Sequence, residues 1–198
     1  RPYIIGLFGE LSFMKNIIDT TGNYEDVINA WKNGNPTKDF YFSDSVFEIK
    51  TSTANPITSI NIGSWNQLDE TSVNNNLILS TVTLNESDPK GFYIYELVEK
   101  LTEMFKENAD HLSKIFYEKL SNENYFMSNN QMYKKKSSKF SVHNIKYFQI
   151  RDNFPRITPP DIENLDRPGI ESITYKVDYS HLLEFEIDFN DIQALSST

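Results

Sequence analysis

Residues 77–84 read Leu-Ile-Leu-Ser-Thr-Val-Thr-Leu, and this run constrains the fold more than any other. It is apolar enough to lie at the centre of a sheet, where both faces of a strand need cover. Helices are predicted on either side of it in the chain. Downstream, Phe92 to Asn108 carries Ile94, Leu97, Val98, Leu101, Met104 and Phe105 at the helical period, and Ala109 to Ser121 carries Leu112, Ile115, Phe116 and Leu120 inward. Upstream, residues 6–19 place Leu7, Leu11, Met14 and Ile18 on one helical face, and Thr20 to Asn23 end that helix. A short helix is expected at Tyr24–Asn33, with Val27, Ile28 and Trp31 inward, before Gly34-Asn35-Pro36 breaks the chain.

Between the helices lie strands. Asp39–Phe42 and Val46–Lys50 flank a Ser43-Asp44-Ser45 turn and read as a hairpin; Thr58–Gly63 alternates as a third strand. After the helices, 138–151, 173–179 and 184–189 read as β, with Pro155, Pro159, Pro160 and Pro168 punctuating the long loop among them. The order predicts an α/β (α+β) domain, a mixed sheet flanked by helices.

A length of 198 residues fits one domain, 1–198, with a real core. The chain starts at Arg1 and not Met, so it is expected to be the C-terminal part of a longer protein. The absence of Cys excludes disulfides, thiolate metal sites and cysteine nucleophiles. No apolar run is long enough to span a membrane and no export signal is seen, so the expected place is the cytoplasm, with no membrane partner. His111, His143 and His181 form no metal motif, and there is no phosphate loop or nucleophile elbow.

A net charge of -9 should repel nucleic acid in general. The charge is uneven, however. Asn124–Arg151 is a stretch of 28 residues without an acid that holds Lys134, Lys135, Lys136, Lys139, Lys146 and Arg151, and the C-terminal part from Ile157 on is acidic. The block is either a phosphate-binding surface, with Lys134, Lys135, Lys136 and Lys139 on a DNA backbone, or a solvated strand edge.

The sharpest local feature is Asp39 followed by Glu48-Ile49-Lys50. Glu48 and Lys50 are two apart on a strand and share one face, while Phe47 and Ile49 point to the other. Across a tight hairpin Asp39 falls near them, so two carboxylates and an ammonium converge at one sheet edge. Convergent carboxylates repel, and Mg²⁺, which favours hard oxygen ligands, relieves them. The alternative is a surface salt bridge between Lys50 and an acid. Glu10 lies on the rim of the first helix's apolar stripe, where a carboxylate needs a ligand or a partner such as Lys15 or Lys50. Arg156 could grip a phosphate or pair with Asp152.

These residues resemble the PD-(D/E)XK nuclease superfamily, and more narrowly the bacterial family called PD-(D/E)XK motif proteins. The matching pieces are Gly6–Leu11, Trp31 before Asp39-Phe40, Glu48-Ile49-Lys50-Thr51, Gln67-Leu68 and Phe154-Pro155-Arg156. The resemblance runs from about residue 6 to about 185. It implies a restriction-endonuclease-like core: a helix, a three-stranded β-meander, a helix and a further strand. It implies DNA phosphodiester hydrolysis, with Mg²⁺ (Mn²⁺ as substitute), in a restriction or phage-defence setting. Asp39, Glu48 and Glu10 would bind the metal and Lys50 would serve the attacking water. Gln67 would approach the site, unless it only caps the 66–71 segment. A nuclease-derived binding or assembly module of a multi-protein defence complex is the alternative, favoured by the net charge. Cutting both strands with one site per chain would favour a homodimer.

Overall fold

The structure, a computed structural model, describes residues 2–32, 38–71, 73, 76–122, 138–163 and 172–195. Helix α1 (Pro2–Thr21) is longer than its periodic stretch and buries Leu7, Phe8, Leu11, Phe13, Met14, Ile17 and Ile18. It stops where Gly22 adopts a left-handed φ of 69° and its N–H bonds to the carbonyl of Ile18 at 2.8 Å, a C-terminal cap that favours Gly. Helix α2 (Tyr24–Ala30) is capped by Asn23, whose side chain accepts from the N–H of Asp26. It ends three residues before the predicted Asn33, because Trp31 turns extended and bridges Phe40.

Strands β1 (Phe40–Tyr41) and β2 (Ser45–Ser52) form the expected antiparallel hairpin, with Phe40 opposite Phe47. The 76–86 segment is β4 (Asn76–Glu86) and is central as expected: β2 runs parallel along it from Ser45↔Asn76 to Ser52↔Thr83, and β5 (Phe140–Gln149) runs antiparallel on its other side. With the two-residue β7 (Glu186–Ile187), the sheet order is β1-β2-β4-β5-β7. Helices α3 (Ile94–Asn108) and α4 (Asp110–Asn122) match the periodicity. Short helices α5 (Pro159–Glu163) and α6 (Phe189–Leu195) follow.

The three-stranded meander is corrected. Strand β3 (Ser59–Ile62) leaves the main sheet and pairs antiparallel with β6 (Tyr175–Asp178) in a separate two-stranded sheet. The reason is that β4 takes the β2 edge along its whole length. Strand β3 buries only Ile60 and Ile62, one face, and lays that face over the main sheet. The 173–179 and 184–189 strands are shorter than predicted, because a 3₁₀ helix (Tyr179–Phe185) lies between them; Asp178 opens it by accepting from the N–H and hydroxyl of Ser180.

The sheet therefore has two covered faces. One packs Phe47, Ile49, Ile78, Val82 and Leu84 against α1 and α3; Phe13 sits within 4.9 Å and 5.0 Å of the Phe40 and Phe47 rings. The other packs Val46, Leu77, Leu79 and Phe148 against Ile60, Ile62 and Val177 of the small sheet. Glu48 and Lys50 share the second face.

The seat of α1 on β2 depends on Gly9. A Cβ there would stand 1.8 Å from Oγ1 and 2.8 Å from Cβ of Thr51, the residue after Lys50. Gly9→Ala is expected to destabilise the protein by about 1–3 kcal/mol, the usual size of an overpacking defect. Adding Thr51→Ala, which removes Oγ1 and Cγ2 but leaves the Cβ at 2.8 Å, should recover part of the loss in a denaturant titration. Equal stability of Gly9→Ala and parent would refute the close packing.

Candidate active site

The β1–β2 hairpin places the acids. Its antiparallel register puts residue 39 opposite residue 48. Asp39 is fixed by its main chain, which donates to the carbonyl of Phe47 and accepts from the N–H of Lys32, and its Oδ2 accepts from the N–H of Ile49 at 2.6 Å. Glu48 is 2% exposed. Burial, and after it the charge of Asp39, pushes its carboxyl from 4.5 up to about 8; Lys50 and Lys38 pull the other way.

Lys50 donates from Nζ to Glu48 Oε1 at 2.7 Å and to Gln67 Oε1 at 2.8 Å. The ion pair is therefore buried and is not the surface salt bridge weighed from sequence. Gln67 lies on a 3₁₀ turn (Trp65–Leu68) that follows β3, and its Oε1 also accepts from the N–H of Gly63 at 2.9 Å. Gln67 thus ties the turn to Lys50 instead of only capping its own segment. Lys50 opens on a cleft of about 140 Å³ lined by Ser52, Ser59, Asn61 and Thr81 among others.

Lys38 was missed in the sequence. It is 0% exposed and donates to the backbone carbonyl of Asn66, next to Gln67, at 2.5 Å. Burial lowers its pKa, while Glu48, Asp69 and Asp39 raise it in that order. A lysine beside the Gly34-Asn35-Pro36 break looks like a solvated loop residue. The signal that could have exposed it is its adjacency to Asp39. Asp69 is also buried, held by the N–H and hydroxyl of Thr71.

Other predicted residues have their own partners. Glu10 is half-buried, and its Oε2 accepts from Trp31 Nε1 at 2.9 Å; Lys15 pairs with Asp19 instead. Arg156 pairs with Glu70 at 2.5 Å and donates to the carbonyl of Leu68, so Asp152 is not its partner. The 65–68 turn is in this way tied by Lys38, Lys50 and Arg156. Lys134, Lys135 and Lys136 lie outside the described residues. Lys139 sits 5.1 Å from the Tyr93 ring, Lys146 pairs with Glu186 at 2.8 Å, and Arg151 stacks 5.5 Å from the Phe185 ring, so the acidic tail folds onto part of the basic block. The three His are exposed.

Among the described residues no group of three or more His, Cys, Asp or Glu could hold a metal ion, so Glu10 is not gathered with Asp39 and Glu48. The pair alone still fits Mg²⁺, which takes one or two carboxylates and keeps several waters. Burial first, and the neighbouring Asp39 second, disfavour the ionised form of Glu48, and a divalent cation bound there would favour that form.

Among the described residues no helix is long and apolar enough to cross a membrane. No curated protein and no solved structure matches the chain. A family model described as "Putative PD-(D/E)XK family member, (DUF4420)" matches residues 3–180. That span takes in the hairpin with Asp39, Glu48 and Lys50, the turn with Gln67 and the sheet that carries them, and the chain belongs to this PD-(D/E)XK family.

Proposed function

We propose that the protein is a metal-dependent endonuclease that hydrolyses DNA phosphodiester bonds at the Asp39–Glu48–Lys50 cluster. The carrying observation is the buried Glu48–Lys50 pair, fastened by Gln67, with Lys50 lining a polar cleft. Asp39 and Glu48 would hold Mg²⁺ or Mn²⁺. Such an ion, when bound, polarises a phosphate oxygen and eases deprotonation of a water.

The chain's own groups do the rest. Lys50 holds its ammonium between Glu48 and the cleft, where it orients the attacking water and offsets charge growing on the phosphate. Gln67 limits the directions in which the Lys50 ammonium can point, which keeps its reach into the cleft pre-set. Burial of Glu48 keeps bulk water from screening these charges. Lys139, with Lys134, Lys135 and Lys136, supplies the backbone grip in this proposal.

A second reading, a binding module without cleavage, is favoured by the net charge of -9. Purified protein incubated with supercoiled plasmid and with single-stranded DNA, in Mg²⁺, in Mn²⁺ and in EDTA, decides between them. Cuts in both metals and none in EDTA are expected. Intact DNA under every condition would leave only the binding module.

A further inference from the structure

We infer that the cavity lined by α1, β5 and α6 binds a small uncharged ring with a hydrogen-bond donor and acceptor side by side, the edge that a nucleobase presents. The cavity measures about 430 Å³, within the range of small-ligand pockets. It lies on the α1 face of the sheet, where Tyr147 packs, and not on the face that carries Lys50. The inference therefore stands apart from the proposed cleavage.

Strand β5 is irregular where it lines this cavity. Thr83 pairs with Asn144 and Leu84 with Val142, so His143 has no partner on β4 and forms a bulge. A bulge bends its strand and re-aims the side chains. In unbroken alternation residues 144 and 145 face opposite sides. Here Val142, Asn144, Ile145 and Tyr147 all line one cavity.

The bulge brings in a polar atom that the fold does not use. Asn144 Oδ1 is buried and accepts no hydrogen bond among the described residues. A bare buried acceptor is costly, and a ligand donor removes that cost. In the same cavity Tyr147 Oη accepts from Asn16 Nδ2 at 3.1 Å, and its own O–H has no acceptor among the described residues. Burial pushes this phenol up to about 12, so it stays a donor. One acceptor and one donor are thus left open together. No charged side chain lines the cavity, which disfavours an ion as occupant. The Tyr147 and Phe189 rings, 5.6 Å apart, give it aromatic faces for a planar ring. Water would satisfy the polar atoms but not the apolar walls.

The test is titration calorimetry of the whole chain with adenosine, cytidine and uridine, and with toluene as an apolar probe. At least one nucleoside is expected to saturate with a Kd of about 0.1–1 mM and to bind more tightly than toluene. Asn144→Leu and Tyr147→Phe should each weaken that nucleoside by about five- to tenfold, the size of one neutral hydrogen bond. Lys50→Ala should bind it like the parent. An Asn144 kept for structure alone would instead lower the melting temperature when replaced and leave nucleoside binding unchanged. If Asn144→Leu does not fold, Tyr147→Phe decides by itself. A deoxythymidine decamer offered to the nucleoside-loaded protein separates two sources of the same chemistry: displacement means that a base of a strand enters, and no displacement that the site takes the free nucleoside. No saturable binding of any nucleoside, tighter binding of toluene, unchanged affinity in Tyr147→Phe, or loss of binding in Lys50→Ala each overturns the inference.

Discussion

Lys50→Ala is expected to leave a folded protein that binds Mg²⁺ and no longer cuts DNA. The Lys50 side chain is 18% exposed and bonded to Glu48 and Gln67, so it is held at the mouth of the cleft and not in the core. Removing one partner of a buried ion pair ordinarily costs several kcal/mol, because a bare charge is left behind. Here the loss is capped, since Glu48 already titrates near 8 and can take up a proton instead. A cation competing for the carboxylates disappears, so metal affinity should be at least that of the parent. The cleavage rate should fall by about 10²- to 10⁴-fold, the range for losing one group that orients a proton transfer or stabilises charge in the transition state. Asp39→Ala should instead weaken metal binding itself. Residual cutting by Lys50→Ala within about three-fold of the parent would remove Lys50 from the chemistry.

Much of this arrangement can be read from local periodicity. The central β4, the β1–β2 hairpin and helices α3 and α4 each announce themselves in a window of fewer than twenty residues, because spacing alone decides which face is apolar. The parity of Glu48 and Lys50 belongs to the same class: once β2 is a strand, both must share a face. The register that sets residue 39 opposite residue 48 needed only a hairpin turn.

Features fixed by distant partners could not be read in this way. Strand β3 looks like the third strand of a meander, and nothing near it says that its partner is β6, more than a hundred residues on. Helix α2 ends early because Trp31 pairs with Phe40 and Lys119 of α4 donates to the carbonyls of Ile28 and Trp31. Arg156 finds Glu70 and not the neighbouring Asp152. Lys38 is hidden for a related reason: its burial depends on the 65–68 turn closing over it, a contact 28 residues away. Glu10 is a mixed case. Its rim position correctly foretold a need for a partner, and the Trp31 indole meets that need.

The second large effect is expected from Glu48, in the pH dependence of stability without metal. Its carboxyl titrates near 8 in the folded protein and at about 4.5 in the unfolded chain. Between those values the folded state holds a proton that the unfolded state has released, so stability falls as pH rises through this window. Below about pH 4.5 both states are protonated and the group costs nothing; above about pH 8 the whole penalty is felt, on the order of 5 kcal/mol for a shift of this size. Glu48→Gln mimics the protonated form. Parent and variant should therefore melt together near pH 5, and the variant should melt higher at pH 8.5. Taking the difference between the two curves cancels the carboxylates they share. Adding Mg²⁺ at pH 8.5 should then raise the parent and leave the variant where it was, because the variant has lost a ligand and the parent has gained a cation that holds Glu48 ionised. Two melting curves that stay parallel from pH 5 to pH 8.5 would mean that Glu48 is not a strained carboxylate, and the site would lose its main reason to bind a divalent ion.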